Sequence, residues 1–219
     1  MQSTPQARWP QSVAGFGTPS CDSLGRRDER RIFAEVRFLR LADHWLESSR
    51  DAGLWGGDAF DHRVFRQYQL RWAPSVTMDF WFRGARVSPA AGRAFCEVLR
   101  RAQVLDRCQL SAIKEVLGVA AAGVDSGSAI EPVVRIESAE TGSLKGRMVL
   151  AVRWENRKMK RQFLSVYIDA EGDGRTVREI HFSGPCDRFT QHLALVHEVL
   201  RSIQWQESCP PPLSLSASA

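Results

Sequence analysis

The sequence has no long uninterrupted run of apolar residues. No run approaches the roughly 20 residues that a transmembrane helix needs, which excludes an integral membrane protein. The residues from Met1 to Arg8 also lack the apolar core of a secretory signal, so we expect a soluble chain without one. At 43% hydrophobic and 25% charged residues, the composition excludes a collagen, a coiled coil and a wholly disordered chain.

Cysteines are few and widely spaced. An odd number, five, with no C-x-x-C pair, excludes both a zinc frame and a disulfide framework. We therefore expect a reducing compartment, the cytoplasm or an organelle interior, and no cofactor. Cys186 stands just before a predicted helix, but no base is evident beside it, so we expect an inert thiol.

A glycine loop that could cradle phosphate is also absent. The segment Gly53-Leu-Trp-Gly-Gly57 lacks a following Lys-Ser/Thr pair and a strand-to-helix context. The predicted strands come in hairpins rather than alternating with helices, which argues against a nucleotide-binding parallel sheet.

The positive charge of the chain is concentrated in one segment. The net charge is +5, yet residues 145–161 hold seven basic residues and one acid, Glu155, and so carry +6. The remaining residues sum to −1. The sequence therefore predicts a near-neutral body with one basic segment, rather than a general polyanion binder.

Composition divides the chain into three parts. Residues 1–30 are rich in Pro, Gly, Ser and Gln without periodicity and are predicted to be a disordered tail. Residues 206–219 contain three consecutive prolines and predict a second tail. A single α+β domain is expected over residues 31–205.

Alternating and helical patterns fill this domain. Residues 65–72 and 76–82 alternate and predict a hairpin. Ser88-Pro89 predicts a helix start, with a hydroxyl cap before proline at the first helical position. Strands are predicted near residues 133–136, 147–154, 160–168 and 176–182, and His181 is expected on the sheet surface, on the face of Val177 and Glu179.

The predicted fold class is α+β, with a central antiparallel sheet built from hairpins, helices packed on it and a long C-terminal helix. The helix follows from an apolar stripe of 4-3-4-3 spacing. Its residues are Phe189, Leu193, Val196, Leu200 and Ile203.

The hydrophobic pattern also predicts the register of the hairpin within residues 147–168. A loop of odd length, residues 156–158 or 155–159, would pair Leu150 with Leu164 and Met148 with Val166. A two-residue loop would put Leu164 opposite Val149, on the other face. We therefore expect the odd loop.

The last part of the chain resembles the end of PsbP-like and Mog-type domains. The resemblance lies in a hairpin, the strand Glu179-Ile-His-Phe-Ser-Gly-Pro-Cys-Asp-Arg-Phe189 and a helix closing with Ser202-Ile-Gln-Trp205. It is carried mainly by residues 146–205; in Leu41-Ala-Asp-His-Trp45, Ala42 replaces a proline usual in that family. The resemblance implies an α/β/α sandwich and a non-enzymatic adaptor, either photosystem-associated or binding a small GTPase. A fainter similarity, at Leu117-Gly118 and Gly142-Ser-Leu-Lys-Gly146, is to mitochondrial assembly domains.

The dense basic hairpin is the sharpest functional signal. Because crowded like charges repel, folding alone does not favour them, and we expect a non-catalytic binding or assembly protein that docks an acidic protein surface. RNA and anionic lipid are alternative partners, and an RNA-binding accessory protein is an alternative function. The predicted partner-binding residues are Arg153, Trp154, Arg157, Lys158, Lys160 and Arg161.

A second hypothesis is a small hydrolase-like enzyme. Asp58, Asp61 and His62 place two carboxylates and an imidazole in one loop, which could act in acid–base chemistry beside a pocket. Loops collect such residues without any function, so the non-catalytic interpretation is preferred.

Overall fold

The computed structural model describes residues 36–38, 44–49, 62–83, 86–124 and 132–205. The predicted tails and residues 58–61 of the acidic loop lie outside these residues. Within them the strands are Val36–Phe38 (β1), Trp45–Ser49 (β2), His62–Leu70 (β3), Ala73–Arg83 (β4), Gln103–Val104 (β5), Val134–Leu144 (β6), Arg147–Asn156 (β7), Arg161–Asp169 (β8), Val177–Pro185 (β9) and Gln204–Trp205 (β10).

The helices of the described residues are short. They are Pro89–Val98 (α1), Arg107–Ala112 (α2), Lys114–Leu117 (α3) and Leu193–Ser202 (α4), with 3-10 turns at Gly118–Gly123 and Phe189–His192. In this part of the chain no helix combines the length and apolar character needed to cross a bilayer.

One large antiparallel sheet dominates the structure. Its strands lie in the order β2-β3-β4-β9-β8-β7-β6-β5, and β1 pairs separately with β10. Every neighbouring pair is consecutive in the chain except β4 and β9, where two meanders meet.

The sheet is buried on both faces. Val149 belongs to a core cluster that includes Val196 and Leu200 of α4, whereas its neighbour Leu150 belongs to a cluster that includes Phe95 of α1. Successive side chains of a strand point to opposite faces, so the two clusters lie on opposite sides of the sheet.

The expected fold class is wrong because the long C-terminal helix is not formed and the helices are few and short. The first residue of the apolar stripe, Phe189, lies in the 3-10 turn Phe189–His192 rather than in the helix. The helix α4 that follows spans only ten residues, about 15 Å. Ile203 is extended, with ψ of 133°, because the next two residues pair with β1. The stripe is packed against the core, but its helix is preceded by a 3-10 turn and followed at once by a strand.

The predicted hairpin register is also wrong. Leu150 pairs with Tyr167 and Val152 with Ser165, and the connection is the four-residue turn Arg157–Lys160. The prediction required the most apolar residues of both strands to share one face. Because both faces are buried, Leu164 packs in one cluster and Leu150 in the other, and the pattern no longer selects a register.

Candidate functional site

The turn Arg157–Lys160, here called the basic turn, has a fixed backbone. The Met159 N–H donates to Asn156 Oδ1 at 3.0 Å, and the Lys160 N–H donates to the Arg157 carbonyl at 3.2 Å. Two further bonds tie the turn to neighbouring segments, from the Arg157 N–H to Val133 O at 2.9 Å and from the Cys186 N–H to Lys160 O at 3.1 Å. The turn is therefore held both internally and from outside.

Lys160 adopts a left-handed backbone conformation, with φ of 52°. This region costs a residue with a Cβ about 1–2 kcal/mol and normally favours glycine. Lys145, in the β6–β7 turn at the other end of β7, has the same conformation, with φ of 51°.

Three of the six predicted partner-binding residues form the basic turn. Lys158 and Lys160 are exposed, and Met159 between them is 44% exposed. Arg157 is half-buried, with Nε 3.8 Å from Glu155 Oε2. The charge available to a partner therefore comes chiefly from the two lysines.

Two other predicted residues make contacts within the protein. Arg153 Nε lies 2.9 Å from Glu137 Oε2 on β6, an ion pair that neutralises it. Arg161 donates from Nη2 to Ser75 O at 2.8 Å and to Ser183 Oγ at 2.7 Å. Burial lowers the pKa of the Arg161 guanidinium. Both arginines thus brace the sheet.

Trp154, the sixth predicted residue, belongs to the core. It is 3% exposed and stacks on Phe163 with ring centroids 4.0 Å apart. Its Nε1–H donates to Ser165 Oγ at 2.8 Å. The indole ring is therefore closed to a partner.

The Trp154–Ser165 bond begins a buried chain of hydrogen bonds that the sequence did not predict. This chain, here called the relay, runs from Trp154 through Ser165 and His181 to Glu179. Ser165 Oγ lies 2.7 Å from His181 Nδ1, and His181 Nε2 lies 2.8 Å from Glu179 Oε2. An indole N–H can only donate, so the serine oxygen accepts the hydrogen bond from Trp154.

Asp79 places a second carboxylate beside the relay. It lies opposite His181 in the register of β4 and β9. Burial raises the pKa of the Asp79 carboxyl, although hydrogen bonds from Gln67 and Thr77 and the charge of His181 act in the opposite direction. The net effect is a pKa above the ordinary value for an aspartate.

The relay has the Ser–His–carboxylate order of a hydrolytic nucleophile, but a substrate cannot reach it. Ser165 has no exposed surface, and its oxygen is already occupied by the indole N–H. A cavity of about 310 Å³ lies elsewhere, lined by residues that include Arg101, Gln103 and Gln109. The geometry supports a structural role, which holds β7, β8 and β9 together.

Of the acidic loop proposed for the enzyme hypothesis, only the backbone of His62 is described, as the first residue of β3. The enzyme hypothesis therefore stays a prediction, because the side chains on which it depends lie outside the described part of the chain.

The Cys186 thiol, considered above as a nucleophile, lies in an acidic environment. Its Sγ is 3.7 Å from Glu155 Oε1. Burial and this carboxylate raise the pKa of the Cys186 thiol, which disfavours the reactive thiolate. This agrees with the expected inert thiol.

Comparison with known proteins gives structural similarity but no sequence match. No protein-family profile and no curated protein matches the chain. The structure is similar to the solution structure of cyanobacterial PsbP (CyanoP) from Synechocystis sp. PCC 6803, with 12% identity and a TM-score of 0.43 over 85% of this chain and 99% of that one. The comparisons do not support the Mog-type part of the resemblance.

Proposed function

We propose that the protein is a non-catalytic binding protein that docks an acidic protein surface through the basic turn. The observation that carries the proposal is the exposure and the electrostatic surroundings of Lys158 and Lys160. Both are exposed, and no carboxylate of the described residues lies within ion-pair distance of either ammonium group. Their charge is available to a partner.

The fixed backbone of the turn supports the same proposal. Binding costs conformational entropy when a loop must be ordered at the interface. Here the hydrogen bonds to Asn156, Val133 and Cys186 have already ordered it. The two lysines are thus displayed from a prepared backbone.

The conformation of Lys160 makes the proposal testable. Glycine at this position would relieve the left-handed backbone, so the lysine is not the residue that the turn itself favours. Lys145 has the same conformation, and it therefore serves as a matched position for separating the effect of the backbone from that of the charge.

Acidic protein is a better partner than RNA because the basic turn offers no exposed ring. Single-stranded RNA is typically bound by stacking of bases on aromatic side chains as well as by charge. Trp154, the aromatic residue predicted to bind a partner, is buried against Phe163.

The test reverses the charge of one lysine. Binding to a defined acidic peptide of glutamate, serine and glycine is then measured by fluorescence anisotropy. Lys158→Glu should weaken binding by about fivefold to tenfold and leave the melting temperature unchanged, since its side chain is exposed. Arg157 is left intact because it contacts Glu155.

Lys145→Glu is the matched control, because Lys145 is an exposed lysine in a turn at the opposite end of β7. It should bind as the unchanged protein does. Equal losses in both variants, or no loss in either, would refute docking at the basic turn. Tighter binding to oligouridylate than to the peptide, with steep salt dependence, would assign the turn to RNA instead.

A further inference from the structure

Two exposed apolar side chains lie at the basic turn. Met159 is 44% exposed inside it, and Val133 is 53% exposed beside it. The Arg157 N–H donates to the Val133 carbonyl at 2.9 Å, which brings the start of β6 against the turn. Val133, Lys158, Met159 and Lys160 are called the end surface below.

The two apolar side chains lie among charged and buried residues. Met159 stands between the exposed Lys158 and Lys160, and Val133 precedes Val134, which is 6% exposed. Apolar area left in water and set among cations is typical of protein interfaces, where an apolar centre is surrounded by a polar rim.

We infer that the end surface binds an acidic protein segment that also carries an aliphatic side chain, which packs on Val133 and Met159 while flanking carboxylates face Lys158 and Lys160. This inference rests on the proposed function and specifies the partner's chemistry. Charge complementarity selects acidic segments. Methionine, with its flexible and polarisable side chain, suits adaptable contact with an aliphatic group.

The inference makes a prediction that charge alone does not. An ionic contact weakens as salt is added, whereas burial of apolar surface does not. Binding of the correct segment should therefore retain an apolar component at high salt.

The experiment compares two acidic peptides of equal net charge, one containing only glutamate, serine and glycine, and one in which two serines are replaced by leucine. Affinities for the unchanged protein are measured by anisotropy at low and high salt. The leucine peptide should bind about fivefold more tightly, and this ratio should persist at high salt.

Met159→Ser should reduce the affinity for the leucine peptide to that of the plain peptide without changing the latter. Val104→Ser is the control, since Val104 is 67% exposed on the edge strand β5, away from the end surface. It should leave both affinities unchanged.

The outcomes separate this inference from the proposed function. If both peptides bind equally and only Lys158→Glu weakens them, the apolar contact is refuted and the proposed function stands. If neither peptide binds, both fail. If vesicles containing phosphatidylserine bind in a Met159-dependent way while the peptides do not, the surface is assigned to lipid and the inference is overturned.

Discussion

His181 is hydrogen-bonded to Glu179 on its own strand, with His181 Nε2 and Glu179 Oε2 separated by 2.8 Å. His181 and Glu179 are 6% and 2% exposed, so the contact lies inside the protein. The other ring nitrogen of His181 is bonded to Ser165 on the neighbouring strand. One imidazole thereby connects two strands at the middle of the sheet.

Ser165→Ala should destabilise the protein strongly. The substitution removes the partner of Trp154 Nε1 and of His181 Nδ1 at once, and both atoms are buried. Unpaired buried polar groups cost about 1–3 kcal/mol each, so we expect a loss of about 2–4 kcal/mol in the free energy of unfolding measured with urea. Ser143→Ala, at an exposed serine of β6, should change it by less than about 0.5 kcal/mol. Similar small losses of unfolding free energy in both variants would contradict the structural role of the relay.

Asp79→Asn should alter how stability depends on pH. The folded-state pKa of Asp79 is raised above its unfolded value, so its contribution to stability is fully present at low pH and is lost as pH rises through the folded pKa. Asparagine does not ionise. The variant should therefore gain stability relative to the unchanged protein between about pH 4 and neutral pH, where the unfolded carboxyl ionises first. Urea unfolding at both pH values measures this, and a difference that stays constant with pH would contradict it.

Gly174→Ala should be far more costly than Gly172→Ala. Both glycines have positive φ, 71° and 80°, so each alanine must accept a left-handed backbone. A Cβ at Gly174 would also overlap the Gly92 carbonyl oxygen and come within 2.8 Å of Cys96 Sγ, whereas a Cβ at Gly172 would meet nothing within 4 Å. We expect a loss of about 1–2 kcal/mol for Gly172→Ala and at least about 2 kcal/mol more for Gly174→Ala. Equal melting temperatures in the two variants would refute the packing argument.

Local signals in the sequence predicted single elements well. Ser88-Pro89 predicts the start of α1, and Ser88 Oγ accepts the Ala91 N–H at 3.3 Å. The predicted hairpin at residues 65–72 and 76–82 corresponds to β3 and β4. Caps and alternation depend on neighbours in the chain, so they can be read from it.

Features that depend on distant residues could not be predicted. The pairing of β10 with β1 ends the C-terminal helix early, and nothing in the apolar stripe indicates it. The hairpin register failed because burial on both faces removes the asymmetry on which the prediction depended. Glu137, which pairs with Arg153, lies on another strand.

The candidate site shows the same limit. The alternation of β7 put Trp154 on the side of Leu150 and Val152, so its burial could have been predicted. The alternation of β9 put Glu179 and His181 on one face, but it gave no sign of Ser165 or of burial. Only the exposed lysines of the basic turn follow directly from the basic segment.

The most direct test of the central claim, that Lys160 serves binding rather than folding, replaces it with glycine. Lys160→Gly should raise the free energy of unfolding by up to about 1 kcal/mol. It should also weaken binding of the acidic peptide by about twofold to fivefold. Lys145→Gly, at the matched left-handed position, should bring the same stabilisation with unchanged affinity. Unchanged affinity in Lys160→Gly, or the same loss in Lys145→Gly, would contradict the account.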